Sequence, residues 1–98
     1  MEFEWDQAKA ERNLNKHGVS FDEAATVFHD ALAAIFQDDD HSDEEEREIL
    51  IGYSEKGRLL IVSFTERGEA IRIISARKAT RSERKNHEEN RMGGHGHE

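Results

Sequence analysis

The chain contains no cysteine and no proline. Without thiols there is no disulfide, no thiolate nucleophile and no cysteine-held metal. Without proline, turns must be made by Gly, Asn, Asp or Ser. No apolar run approaches the roughly 18 residues that a membrane-spanning helix needs, and the opening MEFEWDQAK is acidic with no apolar stretch. The expectation is a cytoplasmic protein with no membrane contact. Catalytic signatures are scarce too: there is no G-x-S-x-G and no S-x-x-K, and the glycines are scattered or terminal, so no loop is built to cradle phosphates.

What is present is one domain's worth of chain: 98 residues, 35% hydrophobic and 37% charged, polar for a globular fold but not starved of Ile, Leu, Val and Phe. The net charge of -8 argues against a nucleic-acid ligand until its distribution is seen. Residues 1–57 hold 16 Asp/Glu and 5 Lys/Arg, a net of -11. Residues 58–85 hold 3 and 8, a net of +5, and residues 86–98 hold 3 and 1, a net of -2. Such asymmetry suggests two partners, one per face; the plainer alternative is that the halves neutralise each other within the fold.

Asp6 suits the N-cap of a helix through His17, closed by Gly18, with Phe3, Trp5, Ala10 and Leu14 as a thin apolar face. Ser20-x-x-Glu23 is a capping box for a second helix, about Phe21 to Phe28. Ala31–Gln37 reads as a strand, and the acidic run 38–46 as a solvated loop, since it lacks the Gly of a calcium-binding loop. Three further strands follow: Ile49–Tyr53, Leu59–Thr65 and Ala70–Ala76, with Arg67-Gly68 closing the last hairpin. Thr80-x-x-Glu83 opens a helix ending near Glu88 or Glu89. The expected fold is α+β: two N-terminal helices, a four-stranded antiparallel sheet and a C-terminal helix in a single domain over 1–90, with a disordered polar tail over 91–98. In an unbroken last strand Arg72 would share a face with Ala70, Ile74 and Ala76, and Arg77 the opposite one with Ile71, Ile73 and Ser75; only a bulge or the strand's end, expected within Ser75–Lys78, brings both arginines to one ligand.

The polar inventory fits one reaction class. RNA carries its own nucleophile, the 2′-OH, so cleavage needs a base, a cation for the developing phosphorane charge and an acid for the departing 5′-oxygen, and no metal or other cofactor. His17, Glu66 and His87 are candidates to move protons; Arg67, Arg72 and Arg77 are candidates to hold phosphate, because a guanidinium matches two phosphate oxygens at once. Lys16, Lys78, Arg81 and Arg84 would bind the RNA backbone around them. Singly, each arginine also reads as a solubilising or ion-paired surface residue.

The segment F-E-W-D-x-A-K-A-x-x-N-x-x-K-H-G-V-S-F-D-E-A (Phe3 to Ala24), with T-E-R (Thr65 to Arg67), R-I-I-S-A-R-K-A (Arg72 to Ala79) and E-R (Glu83-Arg84), resembles the BrnT family of toxins from type II toxin–antitoxin systems. The resemblance spans about residues 3–89. It implies a RelE-like fold, a ribonuclease that blocks translation, and a BrnA-like antitoxin that masks the toxin in a hetero-oligomer and carries the complex to operator DNA. The residues matching the family's polar motifs are Lys16, His17, Glu66, Arg67, Arg72, Arg77 and Lys78. His87 stands where such sequences tend to carry Tyr. The rival expectation is a non-catalytic module that binds a DNA-binding antitoxin as a transcriptional co-repressor. Direct DNA binding is disfavoured, because no helix-turn-helix or ribbon signature is present.

Overall fold

The computed structural model describes residues 1–38 and 46–93, with side chains to residue 90. The solvated loop expected over 38–46 falls mostly outside the described residues, as does the tail from residue 94. In order the elements are β1 (Glu2–Glu4), α1 (Gln7–His17), α2 (Phe21–Thr26), a 3-10 turn (Val27–His29), β2 (Ala34–Gln37), β3 (Glu48–Tyr53), β4 (Leu59–Arg67), β5 (Ala70–Lys78) and α3 (Arg81–Gly93). The five strands form one sheet in the order β1-β5-β4-β3-β2.

The sheet therefore differs from the expected four antiparallel strands. Glu2–Glu4 pairs in parallel with Ala70–Arg72, placing Phe3 beside Ile71. Phe3, expected only as part of an apolar face beside the first helix, is thus a strand residue, and its ring meets Phe28 edge-on at 5.1 Å, which in turn meets Phe64 at 5.0 Å. This aromatic chain ties β1 to the core, each such pair adding about 1 kcal/mol beyond area burial. Leu14 is exposed, so of the expected apolar face Phe3, Trp5 and Ala10 pack against the core and Leu14 does not.

Local signals set the helix boundaries. The Asp6 carboxylate accepts from the Lys9 amide at 3.0 Å, and Gly18 closes α1 at φ 70°, a left-handed geometry that glycine adopts without penalty. Ser20 caps α2 by accepting from the Glu23 amide at 3.0 Å. Only half of that capping box forms, because the Glu23 carboxylate turns inward to Ser54 and Arg58. Helix α2 ends at Thr26 and tightens into the 3-10 turn, so β2 begins at Ala34 rather than Ala31. At the other end α3 runs past Glu89 to Gly93.

The core lies between the sheet and α1–α2. Val19, Phe21, Ala24, Val27, Leu50, Leu60, Val62, Phe64, Ile73 and Ala76 are buried there. The sheet's other face is covered at one end by α3: the Tyr53 ring meets His87 at 6.0 Å, and the Tyr53 hydroxyl donates to Glu88 at 3.0 Å. Among the described residues no helix covers the rest of that face, here called the open face, and the arginine-bearing strand contributes to it.

Candidate nucleic-acid interface

Residues paired across an antiparallel ladder point to the same face. Strand β4 pairs Ile61 with Arg77, Val62 with Ala76 and Ser63 with Ser75, then Phe64 with Ile73 and Thr65 with Arg72. Ile74 has no partner in this register: it is the extra residue of a β-bulge. Beyond the bulge the alternation is reset. Ile71, Ile73 and Ala76 face the core, while Arg72, Ser75 and Arg77 all face the open side. The faces expected for an unbroken strand are thus wrong for Ala76 and Ser75, and a bulge unites the two arginines, but it falls at Ile74 rather than within the expected Ser75–Lys78.

Arg77 anchors a cleft of about 390 Å³ on this face, lined also by His17, Asp38, Arg47, Ile61, Ser63 and Ser75. His17 reaches it from the end of α1, around the edge of β5 that the short β1 leaves uncovered. Asn13 fixes that approach. One turn before His17, its side chain accepts from the Ala76 amide at 3.1 Å and donates to the Ala76 carbonyl at 2.8 Å and the Val19 carbonyl at 2.9 Å.

The strand arginines are already engaged. Arg77 donates from Nη1 and Nη2 to the two carboxylate oxygens of Glu83 at 2.8 and 2.9 Å. Glu83 also completes the capping box of α3, accepting from the Thr80 amide at 2.9 Å while its own amide donates to Thr80 Oγ1 at 3.1 Å. The Arg77 fork, then the Thr80 amide, hold the Glu83 carboxyl down at about 2. Arg72 pairs with Glu4 at 3.3 Å across the parallel β1–β5 ladder. Part of the charge asymmetry is therefore neutralised within the fold, as the plainer reading anticipated. A third pair lies away from this face. Arg58 donates from Nε to Glu23 at 2.9 Å and from Nη2 to its other oxygen, and that fork, opposed by burial and aided by Ser54, keeps the Glu23 carboxyl below its usual range.

The other candidates are dispersed. Arg67 lies on the open face at the far end of β4, opposite Ala70, whereas Glu66 pairs with Ile71 on the helix-bearing side. Lys78 pairs with Leu60 and also falls on that side, exposed at the strand's end. Lys16, Arg81 and Arg84 are exposed on α1 and α3. His87 is only 7% exposed, lies under α3 against Tyr53 rather than in the cleft, and its Nε2 has no partner among the described residues. Three cleft residues escaped the sequence reading. Ser63 and Ser75 were legible only as strand polar residues, and Arg47 was obscured by the acidic run it follows. Among the described residues no three His, Asp or Glu side chains converge to hold a metal.

A small α+β domain with a five-stranded mixed sheet and an arginine cleft on its open face is the class these features define. The sequence model described as ribonuclease toxin, BrnT, of type II toxin-antitoxin system matches residues 5–83, and the chain belongs to that family. Its fold is similar to the 1.1 Å crystal structure of the Brucella abortus ribonuclease toxin BrnT, with a TM-score of 0.64 and 27% identity over 83% of this chain and 99% of that one. No curated protein sequence matches the chain.

Proposed function

We propose that this chain is a toxin that cleaves RNA without a metal, inhibits translation in the cytoplasm and is neutralised by a cognate antitoxin. The observation that carries this reading is the bulge at Ile74, which sets Arg72 and Arg77 on one open face beside a cleft that also holds His17 and Arg47. A scissile phosphate in the cleft exchanges for Glu83 on the Arg77 fork, since carboxylate and phosphate present the same pair of oxygens. Arg47 adds a second positive charge as the phosphorane forms. His17 takes the proton of the 2′-OH; the 2′-oxygen then bonds to phosphorus, giving a 2′,3′-cyclic phosphate, and the 5′-oxygen departs with a proton from water at the open mouth of the cleft. Arg72 and Arg67, further along the face, bind the flanking backbone. Lys16, Arg81 and Arg84 lie exposed around it. Glu66 and Lys78, on the other face, and His87, beneath α3, have no step in this scheme.

The test is cleavage of purified RNA in EDTA. The expected products carry cyclic phosphate ends, and a single 2′-deoxy substitution at the scissile position abolishes the cut. Alanine at both Arg72 and Arg77 should leave a folded, inactive protein; full activity in that variant removes the strand arginines from the mechanism. The ion pairs with Glu4 and Glu83 favour a second reading, in which the face is electrostatically satisfied and the chain acts only as a co-repressor with a DNA-binding antitoxin. An RNA-inert protein that still promotes operator binding by its antitoxin selects that alternative.

A further inference from the structure

Three large apolar side chains exposed on the described surface gather at one place: Leu32 at 54%, Ile35 at 59% and Phe36 at 49%. All belong to β2 or the turn that leads into it, and β2 is the outermost strand of the sheet. Ile35 pairs with Leu50 and so faces the helix-bearing side, whereas Phe36 pairs with Ile49 and faces the open side. An edge strand with apolar residues uncovered on both faces is a pairing template that proteins ordinarily blunt with charge. Here it is not blunted.

Among the described residues no backbone group pairs with its outer edge. The Asp38 amide donates inward to the Arg47 carbonyl at 3.0 Å, which sets the alternation along the ladder. Phe36 and Ala34 therefore bond inward to β3, and the N–H and C=O groups of Ile35 and Gln37 point to the free edge. On the open side Phe36, Leu32, Ala34 and Ile51 floor a groove of about 480 Å³, walled by Asn86 and Asn90 of α3. At the far end of β2 lie the acidic residues Glu46 and Glu48, with Glu48 directly opposite Gln37.

We propose that the outer edge of β2 is the docking site of the antitoxin polypeptide, which adds an extended segment as a sixth strand. The segment takes hydrogen bonds from Ile35 and Gln37, sets one apolar side chain over Phe36 into the groove and the next over Ile35, and carries Lys or Arg on the flank beside Glu48. The carboxylates disfavour RNA on this edge, and a second copy, itself at net charge -8, brings no surplus of cations to it. The inference rests on the toxin–antitoxin reading but not on the ribonuclease chemistry.

The experiment is amide hydrogen exchange on the full-length chain, alone and co-purified with a cognate antitoxin co-expressed with it. The Ile35 and Gln37 amides should exchange freely in the chain alone and at least about 100-fold more slowly in the complex. Ile35→Lys and Phe36→Glu, both at exposed positions, should keep the melting temperature and weaken the complex about 100-fold, as loss of an anchor residue does. A complex that forms with these amides still exchanging, or with unchanged affinity in both variants, overturns the proposal. So does dimerisation of the chain alone that the same variants abolish, which assigns the edge to a second copy, or protection by an RNA oligonucleotide, which assigns it to RNA. Failure to form any complex removes the toxin–antitoxin reading as well. Protection of the edge upholds the proposal even if the chain proves not to cut RNA.

Discussion

Arg77 and Glu83 face each other in a two-pronged clasp, with N–H···O distances of 2.8 and 2.9 Å, that joins the last strand to the first turn of α3. The clasp gives the guanidinium a fixed plane at the mouth of the cleft before any ligand arrives. Replacing Arg77 with alanine should lower the rate of RNA cleavage by about 100-fold or more, the usual loss when one preorganised charge-stabilising group is removed. Lysine there should restore only part of it, because an ammonium cannot span two oxygens in one plane. Single-turnover rates on a purified RNA, with circular dichroism to verify folding, check both outcomes.

Glu83 ionises near 2 in the folded chain against an ordinary 4.5. Because the folded value is the lower one, the clasp's stabilisation is fully present above 4.5 and disappears as pH falls through about 2. The stability gap between the native chain and Glu83→Gln should therefore be constant from neutral pH down to about 5 and close progressively below it. Urea unfolding midpoints of the two proteins across that range measure the gap; a gap that widens on acidification contradicts the assignment.

Asn13 is a buried side chain whose three hydrogen bonds all end on backbone groups. Asn13→Ala strands the Ala76 amide and weakens the support of two carbonyls, which should destabilise the chain by about 2–3 kcal/mol. Asn13→Asp should be no better, since the carboxylate offers no donor to the Val19 and Ala76 carbonyls. Equilibrium urea denaturation reads the stability. Because Asn13 also sets the end of α1, each variant should lose cleavage rate even at temperatures where it is fully folded.

Gly52 is glycine for want of space. A Cβ there would lie 2.7 Å from the Ala33 Cβ and 3.0 Å from both Asp30 Oδ2 and Val27 Cγ1. The same carboxylate oxygen accepts from the Tyr53 amide at 2.8 Å, so it is not free to retreat. Gly52→Ala should cost about 1–3 kcal/mol through overpacking. A thermal melt checks it: an unchanged midpoint shows that β3 and the turn before β2 can move apart.

Much of the helical framework is legible in the sequence because caps and left-handed glycines act over three or four residues. Asp6, Gly18, Ser20 and Thr80 all mark the boundaries they announce. The strand β1 is not legible: Glu2–Glu4 is three residues long and its partner, Ala70–Arg72, is far away in the chain, so nothing nearby records the pairing. Arg58 and Glu23 illustrate the same limit, since a charge's partner is set by the finished fold, and the capping role of Glu23 gave way to it. For the open face and its cleft, the residue types of Arg72, Arg77 and His17 were legible, but the placing of both arginines on that face was not, because it depends on which residue of β5 is left out of the ladder.

That omission at Ile74 has a consequence for comparing this chain with its relatives. Arg72 and Arg77 are an odd number of positions apart, and odd separations divide a regular strand's side chains between two faces. One unpaired residue restores parity. A relative in which the two arginines are separated by four positions needs no bulge to display them together, whereas one that keeps the spacing of five must keep the irregularity, whatever residue fills it. A single-residue gap between the arginines in an alignment is thus not a defect of matching; it records two ways of counting to the same face.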